Sequence, residues 1–334
     1  MRRRRSSAVP RPLSALCGLV CVAAVAGAQS GTATEGALEL LFPAGARALA
    51  MGQAASATAA PSEAFWWNPA LIARGARQGA LHFSQTIATI DSGGDLSFTF
   101  ILPVQRVGAF ALTGRRISYG VQELTRRNDG TVIGEFSNSV NIVGATFAPT
   151  FGDRVNAGLT YKLLQVAFVC SGECLETPSK SQPTSAFDFG ASYRARKDSS
   201  VNVGVSLRNL GLPLQIRDAP QADPLPGRVD IGVSVSPRLT QLPPEATLLA
   251  AADIVNRIEL RLRPGYRFGT ELSWKNQVQL RAGYVVNGPP TGHNTGSLGA
   301  GYTAKQLQVD FAALINVSES GTTPPIFLSV RYRF

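Results

Sequence analysis

Period-two alternation, renewed segment after segment along most of the chain, constrains this sequence more than any other feature. In Val155-Asn156-Ala157-Gly158-Leu159-Thr160-Tyr161-Lys162-Leu163, apolar residues alternate with polar or small ones without a break. The same pattern runs through Phe187 to Arg194, Val201 to Arg208, Val229 to Val235, Val278 to Val286 and Leu307 to Ile315. Alternation places the two sets on opposite faces of a β-strand. Turn residues separate the segments, and fourteen strands are predicted, at 79–90, 95–103, 107–118, 138–150, 154–168, 185–195, 200–210, 228–237, 246–256, 265–275, 277–287, 296–303, 306–316 and 325–334.

No segment after the first thirty residues approaches the ~20 consecutive apolar residues of a membrane-spanning helix. If the chain lives in lipid, it must therefore close into a barrel, because lipid cannot satisfy an open sheet edge. The predicted strand number is even, as in bacterial single-chain barrels. Connections alternate as well. Tight ones (Ala304-Lys305, Lys275-Asn276, Phe151-Gly152-Asp153, Val104-Gln105-Arg106) take turns with long polar ones at 119–137, 169–184, 211–227, 288–295 and 317–324. Short periplasmic turns and long outer loops are what an up-and-down transmembrane barrel produces.

A soluble sandwich or solenoid also alternates, but its strands average ~5–6 residues, and those predicted here mostly reach the ~9–11 needed to cross a bilayer. The last strand sets Ile326, Leu328, Val330, Tyr332 and Phe334 on one face, ending on an aromatic. That pattern resembles the assembly signal by which outer-membrane barrels are recognised, which makes Tyr332 and Phe334 candidate contacts for the barrel assembly machinery.

The N-terminus sets the compartment. Arg2 to Arg5 and Arg11 precede an apolar stretch from Leu13 to Val25, and Ala26-Gly27-Ala28 gives a small-x-small cleavage pattern before Gln29. Residues 1–28 are read as a signal peptide. Leu16 and Val20, standing before Cys17 and Cys21, exclude a lipoprotein signal. Removing these residues takes away five arginines and lowers the formal charge from +10 to +5. The basicity is largely a targeting feature and gives no case for nucleic acid as a partner. Cys170 and Cys174, the mature chain's two cysteines, are expected to form a disulfide in an oxidising compartment.

Residues 29–77 carry no strand pattern. Gly45-Ala46-Arg47, Ala50-Met51-Gly52 and Phe65-Trp66-Trp67-Asn68-Pro69-Ala70 stand among small residues, and the Ala-rich parts favour short helices. This segment is expected to plug the lumen of a barrel formed by residues 78–334, since paired tryptophans on a free tail would expose apolar surface. Gly45, Arg47, Met51 and Gly52, followed by Trp66, Trp67, Asn68 and Pro69, resemble the N-terminal signature of the PorV/PorQ family, within the FadL-like fatty-acid transporter superfamily. The resemblance implies a plugged fourteen-stranded outer-membrane barrel. It further implies an accessory or shuttle role in type IX-like protein export, with secreted proteins as partners, or alternatively uptake of long-chain fatty acids or other hydrophobic compounds. Asn68-Pro69 is read as shaping the plug.

Residues able to carry chemistry are few. His82 and Ser84 share a strand face, as the His-x-Ser pair of outer-membrane phospholipases does. The following Asn-Gly is absent, however, and Leu81, Phe83 and Ile87 claim the lipid face, so His82 is read as packing against the plug. His293 stands in a Gly/Pro/Asn loop. No metal site, catalytic residue or cofactor is expected, and the chain is read as non-enzymatic. Lys162, Asp188, Arg194, Arg208, Asp230, Arg281, Asp310 and Arg331 point inward as a balanced set expected to pair off. Trp274 and Tyr332 are expected at the membrane interface. Leu210, Leu212, Leu214 and Ile216 are candidate pocket residues, but no ligand is legible.

Overall fold

The computed structural model describes residues 35–75, 78–87, 93–173, 179–181, 183–196, 200–215, 222–258, 264–288, 293–315 and 325–334. The expected signal peptide 1–28, Cys174 and Ile216 lie outside the described residues. Fourteen strands form the wall: β1 Ala80–Ile87, β2 Gly94–Val104, β3 Gly108–Thr125, β4 Val132–Phe151, β5 Val155–Gly172, β6 Thr184–Arg194, β7 Val201–Gly211, β8 Arg228–Val235, β9 Ala246–Arg257, β10 Gly265–Trp274, β11 Val278–Gly288, β12 His293–Ala304, β13 Leu307–Ile315 and β14 Ile326–Arg333. Each pairs antiparallel with the next, and β1 pairs with β14 from Ala80↔Arg333 to Ile87↔Ile326, so the sheet closes into a transmembrane up-and-down barrel. No edge is left to satisfy, as lipid requires.

The two faces follow the alternation. Outward positions are apolar and uncovered (Phe83, Leu112, Val143, Ile231, Leu280 and Leu298 each expose about half their surface), and such residues ring the whole wall. A belt of this extent belongs in lipid, because a water-soluble monomer does not present one. Aromatics gather outward where the short turns lie: Phe110, Phe151, Tyr193, Trp274, Tyr302 and Tyr332. Amphipathic rings at this height suit a membrane interface. Among the short turns, Lys275 and Asn276 both take positive φ (51° and 55°), the backbone of a tight hairpin turn matched to strand twist.

The wall departs from the predicted boundaries at one side. β3 and β4 stay paired out to Thr125↔Val132, and β5 continues to Gly172, whereas 119–137 and 169–184 read as loops. This hairpin rises past the apolar belt, where both faces meet water and the alternation fades, although the backbone ladder continues. A bulge at Gly120 (φ 75°) marks the level where the pattern changes.

Residues 38–75 form four short helical pieces: 3-10 turns at Leu38–Leu41 and Pro69–Gly75, and α-helical turns at Ala46–Ala50 and Ala64–Trp67. None has the length to stand alone, and the first three lack a side-chain cap. They lie against inward-facing residues of the wall, which supply the burial and hydrogen bonds that isolated turns lack.

Candidate functional site

Close approach governs how the inner segment meets the wall. Eight strands, β4 to β8 and β10 to β12, each turn one glycine inward at the level of the segment: Gly144, Gly158, Gly190, Gly204, Gly232, Gly269, Gly283 and Gly299. A Cβ at Gly158 would stand 2.7 Å from the Pro69 carbonyl oxygen, and one at Gly269 would stand 2.9 Å from the Met51 carbonyl carbon. Neighbouring glycines are paired directly, as Gly158↔Gly190, Gly204↔Gly232 and Gly269↔Gly283, offset by two residues, as Gly190 faces Ser206, or by four, as Gly144 faces Lys162 rather than Gly158. That stagger follows the tilt of barrel strands. The segment thus runs along a track of glycines, backbone against backbone at Gly158, Gly204, Gly269 and Gly283 and with a segment side chain against the others.

The residues of the N-terminal signature hold the segment on this track. Gly45 takes φ 87° with the Glu63 side chain directly over it, and Gly52 takes φ 57° hard against Gly283, where a Cβ has no room. Arg47 grips Glu271 with Nε and Nη2 (2.9 and 3.2 Å) and donates from Nη1 to the Thr58 carbonyl (2.7 Å). Met51 is fully buried beside Ala251. Asn68 donates to the carbonyls of Ser56 (2.8 Å) and Ala191 (3.1 Å), tying the segment to β6, while its Oδ1 receives the Ala70 N–H. Pro69 then starts the 3-10 turn.

Trp66 and Trp67 sit between cations. The Arg115 guanidinium lies 4.9 Å from the Trp66 ring, and Arg208 and Arg267 lie 5.7 and 5.4 Å from Trp67. Lys162 Nζ approaches Phe65 and Trp66 at 5.5 and 5.8 Å. Desolvated cation–π contacts of this kind contribute about 2 kcal/mol each. Trp67 Nε1 also donates to the Ala44 carbonyl (3.0 Å), and Arg208 and Ser206 donate to the carbonyls of Trp66 and Trp67.

Several inward charges find carboxylates. Lys162 pairs with Asp188 (2.5 Å), Arg208 with Asp230 (2.5 Å), Arg281 with both Glu271 (2.5 Å) and Asp310 (2.7 Å), and Arg115 with Asp95. Arg331 does not join them: its one ion pair, to Asp310, is 3.8 Å long, and neither Nε nor Nη2 makes a hydrogen bond among the described residues. The expectation of a balanced, paired set therefore holds along much of the lumen and fails toward the short turns. His82 and Ser84 both face inward and do not meet each other. His82 Nδ1 lies 3.2 Å from the Ser62 carbonyl, and Ser84 bonds Ser329 (2.9 Å), whose hydroxyl accepts the Ala46 N–H. No group of three His, Cys, Asp or Glu among the described residues is placed to hold a metal. Cys170 lies near the end of β5, and its expected partner Cys174 lies outside the described residues.

Toward the long loops the interior changes character. Inward positions of β3 to β6 become apolar, with Ile117, Val140, Ile142, Leu164 and Ala186 all buried. Leu40, Phe42, Leu214 and Leu225 pack over them. Of the candidate pocket residues, Leu214 joins this cluster and Leu212 points away into solvent. Sequence reading missed the cluster because Ile142 and Leu164 sit on the face that carries polar residues elsewhere in the same strands. Glu271 and the glycine track were missed too, although one inward glycine recurs in strand after strand.

No family model matches the chain, and a search of characterised proteins by sequence finds no match. Solved structures are similar to it. The toluene transporter TbuX of Ralstonia pickettii superposes with a TM-score of 0.57 at 12% identity, over 88% of this chain and 98% of that one. The Pseudomonas putida toluene transporter TodX gives 0.56 at 10%, over 85% and 97%. A Pseudomonas aeruginosa FadL homologue gives 0.50 at 10%, over 88% and 99%. At these identities the shared property is the fold, that of FadL-type barrels.

Proposed function

We propose that this chain is an outer-membrane channel for hydrophobic compounds, exported by a cleaved signal peptide, with the inner segment acting as its plug. The observation that carries this reading is the apolar cluster inside the barrel toward the long loops. Ile117, Val140, Ile142 and Leu164 turn inward at the long-loop end of β3 to β5, where the same strands carry Thr113, Thr146 and Thr160 lower in the lumen. A water-filled pore gains nothing from such side chains, whereas a hydrophobe entering from outside would bury its surface there at about 25 cal/mol per Å². Leu40 and Phe42 occupy that space in the resting state, so loading requires the start of the inner segment to give way. The likeness to TbuX and TodX supports the same reading, since both are described as toluene transporters.

The export-accessory role implied by the N-terminal signature has no observation of its own here. Gly45, Arg47, Gly52 and Asn68 are accounted for by docking within the barrel. The test is uptake of labelled toluene and of a long-chain fatty acid by cells expressing the chain, compared with cells expressing Ile142→Asn. Faster uptake than in cells without the chain, reduced by Ile142→Asn at an equal level of folded barrel, is expected. Equal uptake with and without the chain would overturn the proposal.

A further inference from the structure

A cavity of about 600 Å³ lies at the opposite end of the lumen, bounded by Asn276, Gln277 and Lys305 of the short turns and by the underside of the inner segment. Its charge is one-sided. Arg47, Arg74, Arg281, Arg331, Arg333 and Lys305 line it, against the single carboxylate Glu271. The nearby carboxylates are committed elsewhere. Glu271 is held by Arg47 and Arg281, and Asp310 takes Arg281 (2.7 Å) and both bonds from Gln308 Nε2 (3.1 and 3.0 Å). Glu63, on the inner segment near Arg331, makes no hydrogen bond to it, and burial pushes its carboxyl up, which weakens it as a counter-charge.

Two guanidiniums are left with unused donors. Arg331 is 7% exposed, and its Nε and Nη2 have no hydrogen-bond acceptor among the described residues. Arg74 donates from Nη1 to the Ala57 carbonyl (2.8 Å), while its Nε and Nη2 are likewise buried without partners among the described residues. Burial and the neighbouring Arg194 lower the Arg74 guanidinium to about 10, which leaves it cationic near neutral pH. A buried guanidinium short of acceptors is costly, and the cost is removed by an anion that accepts its hydrogen bonds. Like charges converging on one concave site also focus the field on whatever enters it.

We propose that this cavity is a binding site for a small multivalent oxyanion, a phosphate or a polycarboxylate, that enters from the short-turn side. Arg331 and Arg74 form its floor and Arg333 and Lys305 its rim. The site is separate from the apolar cluster toward the long loops and does not depend on what passes there.

The test uses the full mature chain folded in detergent, titrated with citrate and with inorganic phosphate against chloride at matched ionic strength. Citrate or phosphate should raise the unfolding temperature and show saturable heat of binding, and chloride should not. Arg331→Gln should weaken binding by about tenfold or more, the worth of one charge-assisted hydrogen bond. Without anion, Arg331→Gln should be as stable as the parent or more so, because it removes a buried charge that lacks a hydrogen-bonded partner. Arg333→Gln, on the rim, provides a second variant should the first fold poorly, and should weaken binding less. Equal stabilisation by chloride, unchanged affinity in both variants, or binding of polyglutamate but neither small anion would each overturn the proposal.

Discussion

Gly204→Ala isolates the contribution of the glycine track. The added Cβ would stand 2.5 Å from the Ser56 carbonyl carbon, 3.0 Å from Ala57 Cα and closer still to the Ser56 oxygen. Carbon atoms rest about 3.5–4.0 Å apart, so Ser56 has to retreat by roughly 1 Å. Ser56 is held from two sides, its N–H donating to Asp253 Oδ2 (2.8 Å) and its carbonyl accepting from Asn68 Nδ2 (2.8 Å). Losing one neutral and one carboxylate-linked hydrogen bond costs about 2–4 kcal/mol. Replacing a strand glycine by alanine offsets about 0.5–1 kcal/mol of that through backbone entropy. The net loss, about 1.5–3 kcal/mol, falls on the segment and leaves the wall pairing intact. Two of the three tryptophans lie in the segment and the third, Trp274, faces outward, so in a Trp274→Phe background the emission reports on the segment alone. Gly204→Ala should make that emission more accessible to acrylamide and lower its thermal midpoint, while the barrel still migrates as folded on an unheated gel. Gly94→Ala, whose Cβ meets nothing within 4 Å, should stay within about 0.5 kcal/mol of the parent. Identical quenching in Gly204→Ala and parent would refute the close-approach argument.

Lys162→Met strands the fully buried Asp188 carboxylate and should cost about 3–5 kcal/mol in urea unfolding. Adding Asp188→Asn should recover much of that loss, and no recovery would mean the pair is not what Lys162 serves. Phe334→Ala removes a ring 6.1 Å from Phe100, an aromatic pair worth about 0.5–1.5 kcal/mol. It should lower the amount of folded protein in outer-membrane fractions far more than it lowers unfolding temperature, and an unchanged amount would remove the assembly-signal reading.

The wall was legible because alternation is a local property. Val155 to Leu163 or Leu307 to Ile315 declare their two faces without help from the rest of the chain, and the lengths of the connections sort the two ends. Height in the lumen is not local. Arg281 and Arg331 look alike in sequence, both inward, yet one is held by two carboxylates and the other has none at hydrogen-bonding distance. Only the staggered pairing of five strands decides which. Gly158 and Gly283 read as small residues on the polar face, and their meaning appears once Pro69 and Gly52 stand opposite. The paired extension of β3 and β4 was hidden for a different reason: above the lipid, both faces of a strand can be polar.

Alternation fixes the register of a barrel strand only to within two residues. A slip of one turns apolar side chains inward, but a slip of two leaves every residue facing as before. The glycines remove that ambiguity. Moving β7 by two residues would bring Asn202 or Ser206 against Ser56 in place of Gly204, and moving β11 would bring Arg281 or Val285 against Gly52 in place of Gly283. The inner segment is therefore a gauge laid across eight strands, accepting each at one height. The absolute register of the wall is written in residues that precede the first strand.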